Sequence, residues 1–224
     1  LRYALANELH ARPFPSLTSP AMAVFLAIKQ PSDAVARDRG DDLAHLTRLL
    51  DRHGAAHPQP GATHYSARIG RYWLKWEQHT EFVTYTAFCD GAGDRPFDPA
   101  EFEVFPDDWL SAAPGQRLTS ALVRIGTSPG DDEIIRLLDA WFVPESTVVS
   151  QVLDGTATVA SDFRIDPAGH MRLAVFTGGE AGPRRVGRTV QRLLEIETYK
   201  TMALLGFTRA RALTGRVGEQ EDAP

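Results

Sequence analysis

Hydrophobic and polar positions change their period several times along the chain, and each change predicts an element. Leu1 to Leu9 is rich in helix formers, and Pro13 and Pro15 end it. Ala21 to Lys29 (AMAVFLAIK) is a short apolar run bounded by turn residues, which predicts a buried strand. Ser32 or Asp33 then caps a helix to about His53, with Leu43, Leu46, Leu49 and Leu50 on one face and Gly54 as its stop.

After the Pro/Gly-rich stretch from His57 to Gly61 the period switches to two. Tyr65, Ala67 and Ile69 alternate with polar residues, Gly70 marks a bulge, and Tyr72, Leu74 and Trp76 resume the alternation. Phe82 to Phe88 continues it, so an antiparallel region is expected. A break from Asp90 to Pro99 leads to a short helix around Trp109. A strand from Leu118 to Ile125 and a helix from Asp131 to Trp141 follow.

Val148 to Leu153 and Thr156 to Ile165 flank Asp154-Gly155, a strong hairpin signal, and Asp166-Pro167-Ala168-Gly169 turns the chain into Met171 to Phe176. From Pro183 onward Val190, Leu193, Ile196, Tyr199 and Ala203 recur at steps of three and four, the mark of one long helix reaching about Gly215. The expected fold is α+β: an antiparallel sheet with helices packed on it and a long C-terminal helix. Residues 1–182 form the α+β domain, 183–214 a connector helix and 215–224 a disordered tail. A connector of that length points to a larger parent protein.

Composition narrows the function. The 224 residues are 43% hydrophobic and 24% charged, enough apolar surface for a full core and too much for wholesale disorder. A net charge of −5 offers no general attraction to polyanions, so nucleic acid is not an expected partner. Cys89 is the one cysteine, which leaves no internal disulfide and no thiolate cluster for a metal. The longest apolar run, Ala21 to Ile28, falls far short of the ~20 residues needed to span a bilayer.

Three constellations carry candidate chemistry. Glu77, His79 and Glu81 are spaced by two and would share one face of a strand, where an imidazole and two carboxylates can hold a divalent ion or move protons. The simpler reading is a solvated sheet face with charges paired across strands. His10 and Arg12 follow the first helix, where cations cap a C-terminus, or Arg12 pairs with a carboxylate such as Asp162 or Glu77. The stretch Gly178 to Arg188 is a glycine-rich opening to a helix, with Arg184, Arg185 and Arg188 as candidate anion binders; it lacks the Walker lysine and the dinucleotide fingerprint. Asp162 and Arg164 straddle Phe163 and so share a face, as site residues or as part of a cross-strand ion pair. Ser146 has no nucleophile elbow around it.

Four segments also carry a resemblance. They are Leu1-Arg2-Tyr3-Ala4-Leu5-Ala6-Asn7-Glu8-Leu9-His10-Ala11-Arg12-Pro13; Leu74-Lys75-Trp76-Glu77 with His79-Thr80-Glu81-Phe82; Ser161-Asp162-Phe163-Arg164; and Gln191-Arg192-Leu193-Leu194-Glu195-Ile196-Glu197-Thr198-Tyr199. Together they resemble domain-of-unknown-function family 3422, bacterial proteins described as membrane-anchored. The resemblance implies a parent about twice this length with an apolar C-terminal segment, and it brings no catalytic residues.

The residues predict a ligand- or partner-binding domain, and the resemblance implies that it belongs to a larger, membrane-anchored bacterial protein, cytoplasmic and held at the inner membrane in that parent. The expected ligand-binding set is His10, Arg12, Glu77, His79, Glu81, Asp162, Arg164 and Arg192, with charged segments near His10, Glu77, Asp162 and Arg192 converging on one cleft or ion-pair cluster. One alternative is a metal-dependent hydrolase built on the Glu/His/Glu face with Asp162. Another is a scaffold that forms homo-oligomers through the C-terminal helix. The expected partner is a protein or a small ligand, and no motif assigns a cofactor.

Overall fold

A computed structural model describes residues 14–30 and 38–221. His10, Arg12, the first helix and the Ser32/Asp33 helix start lie outside the described residues. The elements in order are β1 (Ala21–Lys29), α1 (Arg39–Arg52), β2 (His64–Ile69), β3 (Tyr72–Gln78) and β4 (Phe82–Asp90). Then come α2 (Asp107–Ser111), β5 (Gln116–Thr127), α3 (Asp131–Trp141), β6 (Val148–Val152), β7 (Ala157–Ser161), β8 (Met171–Thr177) and α4 (Pro183–Glu221). A 3-10 turn at Pro99–Val104 precedes α2.

The strands form one sheet in the order β2-β3-β4-β1-β5-β8-β7-β6. Neighbours are antiparallel except β5 and β8, which run parallel, because α3 and the β6–β7 hairpin intervene between them. The fold is thus α+β, as the alternation predicts.

β1 is apolar from Ala21 to Ile28 because it lies inside the sheet with both faces covered. Met22, Val24, Leu26 and Ile28 enter an aromatic core beneath α1, α2 and α3, where Leu46, Trp76, Tyr85, Phe105 and Trp109 are buried. The alternate residues Ala21, Ala23, Phe25 and Ala27 enter a second core on the other face, closed by Val186, Val190 and Leu194 of α4. Among the described residues the structure is three layers, with α4 the one helix on its side of the sheet.

Local signals hold with five corrections. The cap of α1 is Asp38, accepting from Gly40 N at 2.7 Å, and not Ser32 or Asp33, because its carboxylate stands one residue before the first helical position. Gly70 (φ 55°) is not a bulge: Ile69 pairs with Tyr72, so it forms a tight turn between β2 and β3. β3 ends at Gln78, since His79 N donates to Phe82 O at 2.8 Å and closes a turn; Glu81 is therefore not on a strand with Glu77. β7 ends at Ser161 rather than Ile165. There Ser161 Oγ accepts from Phe163 N at 3.0 Å and Asp162 Oδ1 from Arg164 N at 3.2 Å, and Phe163 takes φ 53°. These side-chain bonds compete with the ladder and divert the chain, so Asp162 and Arg164 do not straddle Phe163 on a strand face. Finally, α4 continues past Gly215 to Glu221.

Candidate functional site

α4 crosses the sheet and leaves a cleft along each flank. The first, of about 420 Å3 with open solvent included, lies over β3 and β4. Pairing sets Lys75 beside Thr86 and Glu77 beside Thr84, so these four side chains share the face toward α4. Lys75 and Glu77 are each 8% exposed. Lys75 Nζ reaches Glu77 Oε2 at 3.0 Å and donates to Gln191 Oε1 at 3.0 Å, and Gln191 Nε2 donates to Glu195 Oε1 at 2.8 Å. A buried charge must be paired, and this chain of contacts pairs the sheet's charges while fixing the helix to the sheet. His79 stacks on Phe82 at 4.3 Å, and Tyr199 meets the same ring edge-on.

Glu81 leaves this group and pairs with Lys29 at 3.5 Å. Among the described residues no three His, Cys, Asp or Glu side chains are placed to hold a metal ion. Deeper under α4, Glu197 accepts from Thr119 Oγ1 at 3.2 Å and from Lys200 Nζ at 2.5 Å.

The remaining sequence candidates are dispersed. Asp162 is buried on the far side of the sheet, where it accepts from Arg172 Nη2 at 2.7 Å and Val143 N at 3.2 Å; Arg172 Nη1 donates to Trp141 O at 2.7 Å. This group joins the end of β7 and β8 to the end of α3. Arg164 Nε donates to Ser146 Oγ at 2.7 Å, and Arg192 is exposed on α4. Arg185 pairs with Asp154 at 2.9 Å, Arg188 lies 4.6 Å over the Phe14 ring, and Arg184 is exposed, so the three arginines are turned to different surroundings. Of the four charged segments, those of Glu77 and Arg192 meet, through Lys75 and Gln191. The Asp162 segment lies apart, and the His10 segment is outside the described residues.

The second flank was not anticipated. Val148 and Ser150 of β6, Val159 of β7, Phe163, Leu193 and Ile196 line an apolar groove of about 600 Å3, open solvent included. Val148 is 53% exposed, Phe163 51% and Ile196 61%. The Phe163 ring is held by Lys200 Nζ at 5.1 Å. Phe163 and Ile196 both fall within the segments that carry the family resemblance, and that was the available signal. β6 ends the sheet, so its outer edge has no strand partner among the described residues.

The largest pKa departures lie away from both flanks. Burial lowers His45 to about 4 and raises Tyr85 well above its ordinary value. Both are fully buried beside the aromatic core, bonded to each other at 3.0 Å. Perturbation there follows from packing rather than chemistry.

No helix among the described residues is long and apolar enough to cross a membrane. A search of curated proteins and a search of solved structures each found no match. A family profile matches residues 1–223, the whole of the geometry above, and by it the chain belongs to the family described as protein of unknown function, DUF3422.

Proposed function

We propose that this domain is a binding module for a protein partner, which docks as an extended segment along β6 and sinks alternate side chains into the groove beside α4. The observation that carries the reading is the character of β6. An edge strand presents unpaired N–H and C=O groups, and proteins ordinarily blunt such edges with charge, proline or a bulge. β2, at the opposite edge, carries His64 and Arg68. β6 reads Val-Val-Ser-Gln-Val, with neither charge nor proline, and four of its five residues are exposed. Strand addition supplies affinity through main-chain hydrogen bonds and specificity through pockets for every second side chain. In the longer, membrane-anchored parent that the resemblance implies, α4 is the connector that carries this edge.

The test is a peptide-display selection against the full chain, followed by titration calorimetry with the selected peptides. Enriched peptides should alternate apolar and polar residues and perturb the amide resonances of 148–152. Ile196→Asp, at an exposed position, should leave the fold intact and weaken them at least about tenfold, or ~1.4 kcal/mol. Peptides without alternation, or peptides that bind Ile196→Asp as they bind the parent chain, would remove this reading.

A further inference from the structure

On the sheet face away from α4 lies a larger cleft, about 890 Å3 with open solvent included, which the β6 groove does not touch. Its walls are the 3-10 turn at Pro99–Val104, the first residue of α2, the start of β5 and the turn into β8. Its chemistry rests on Glu103, Asp107, Arg117 and His170 around the ring of Phe102.

His170 is 4% exposed and its ring lies 4.2 Å from that of Phe102. Ser120 Oγ donates to Gly169 O at 3.1 Å, so a lone pair of that oxygen is what His170 Nδ1 meets at 2.9 Å. The ring proton therefore sits on Nδ1, and Nε2 keeps its lone pair. Among the described residues Nε2 has no hydrogen-bond partner, yet it is not sealed from solvent. With Nδ1 turned inward to Ser120, Nε2 is the nitrogen that faces the cleft. Burial lowers the pKa of His170, which keeps it a neutral acceptor near pH 7.

Arg117 packs over Phe102, its guanidinium 5.1 Å from the ring centroid. A Cβ on Gly169 would come within 3.6 Å of Arg117 Nη1, so the cation lies beside the residue that precedes His170. Glu103 and Asp107 stand on the other walls. Among the described residues none of Glu103, Asp107 and Arg117 forms an ion pair, although all line one cleft. Acids on the walls disfavour a dianion such as phosphate, and an isolated cation would leave Arg117 unmatched.

We propose that this cleft binds a small zwitterion of the α-amino-acid class. Its carboxylate takes the guanidinium fork of Arg117, and its ammonium donates to His170 Nε2 and to the carboxylates of Asp107 and Glu103. Each charge on the walls then meets its opposite, and the ligand brings no net charge.

The experiment uses the full chain, with thermal-shift screening and titration calorimetry of the individual free amino acids at millimolar concentration. The N-acetyl amide of the best binder, its decarboxylated amine, acetate and inorganic phosphate serve as comparisons. At least one free amino acid should bind, and all four comparisons should bind at least about tenfold more weakly, the loss expected when a charge-assisted pair is removed. Arg117→Gln, an exposed substitution that leaves the cores untouched, should weaken the amino acid by a similar factor, and His170→Gln should do the same where it folds. The proposal is overturned if no free amino acid binds, if phosphate or acetate binds as tightly, or if Arg117→Gln binds unchanged.

Discussion

His45 is held at both ring nitrogens. Nε2 donates to Trp109 O at 3.0 Å, so Nδ1 is the lone pair that accepts from the Tyr85 hydroxyl at 3.0 Å, and the Trp109 indole stacks on the ring at 3.8 Å. Protonation would put a second donor opposite a hydroxyl in a dry core, which is why burial holds the pKa near 4 against an ordinary 6.5. The sign follows from linkage. The folded state binds its proton less readily than the unfolded chain, so this contribution is complete above about pH 6.5 and is lost as pH falls toward 4. Denaturant unfolding at pH 7 and pH 5 should show a loss of about 2 kcal/mol from this group. His170, also lowered, acts in the same direction, so His45→Gln is the comparison that isolates the term. It should unfold more easily at pH 7 and lose about 2 kcal/mol less on acidification. An equal pH response in both proteins would show that His45 does not titrate this way.

At the scale of elements, the β6–β7 hairpin depends on backbone signs. Asp154 (φ 57°) and Gly155 (φ 83°) both lie in the left-handed region, and Thr156 N donates to Leu153 O at 3.2 Å. Those are the signs which Asp154-Gly155 predicts, but Leu153 also takes φ 56° and the strands end at Val152 and Ala157, so the loop spans four residues rather than two. No atom lies within 4 Å of where a Gly155 Cβ would stand, so replacement tests conformation without clash. Gly155→Val should destabilise by about 1–3 kcal/mol, and an unchanged melting temperature would show the turn tolerates a branched residue. Strands of this kind were legible because period two and glycine act locally. The strand ends at Gln78 and Ser161 were not, since a turn hydrogen bond and two side-chain-to-backbone bonds decide them. Charge clustering found Glu77 and Asp162 but could not tell a paired, buried carboxylate from one in a cleft. The parallel β5–β8 pair and the exposure of Ile196 were hidden for a related reason: each depends on what another element leaves uncovered.

The whole molecule is fastened where the segment before β1 meets the first turns of α4. Leu17 N donates to Pro183 O at 3.1 Å, Leu17 joins the α4 core, and Arg188 covers Phe14. A Cβ on Gly187 would stand 1.7 Å from Pro15 O, so the helix needs a bare backbone there. Gly to Ala inside a helix ordinarily gains roughly 0.5–1 kcal/mol. Gly187→Ala should instead cost at least about 2 kcal/mol through forced displacement of the segment. Gly206→Ala, with nothing within 4 Å of its Cβ, should show the ordinary gain in the same thermal unfolding assay. If the two substitutions behave alike, Pro15 does not fasten α4.

The central place of β1 also has a consequence in time. Its two ladders are to β4 and β5, so Ala21 waits for Asp90 and Ile125 before either of its edges is satisfied. A ribosome makes β1 well before its partners β4 and β5. During that interval the nascent chain carries an apolar strand with both edges unmatched, the kind of segment that invites aggregation and chaperone capture. The order of synthesis, rather than the strength of the finished sheet, therefore sets when this protein is most vulnerable.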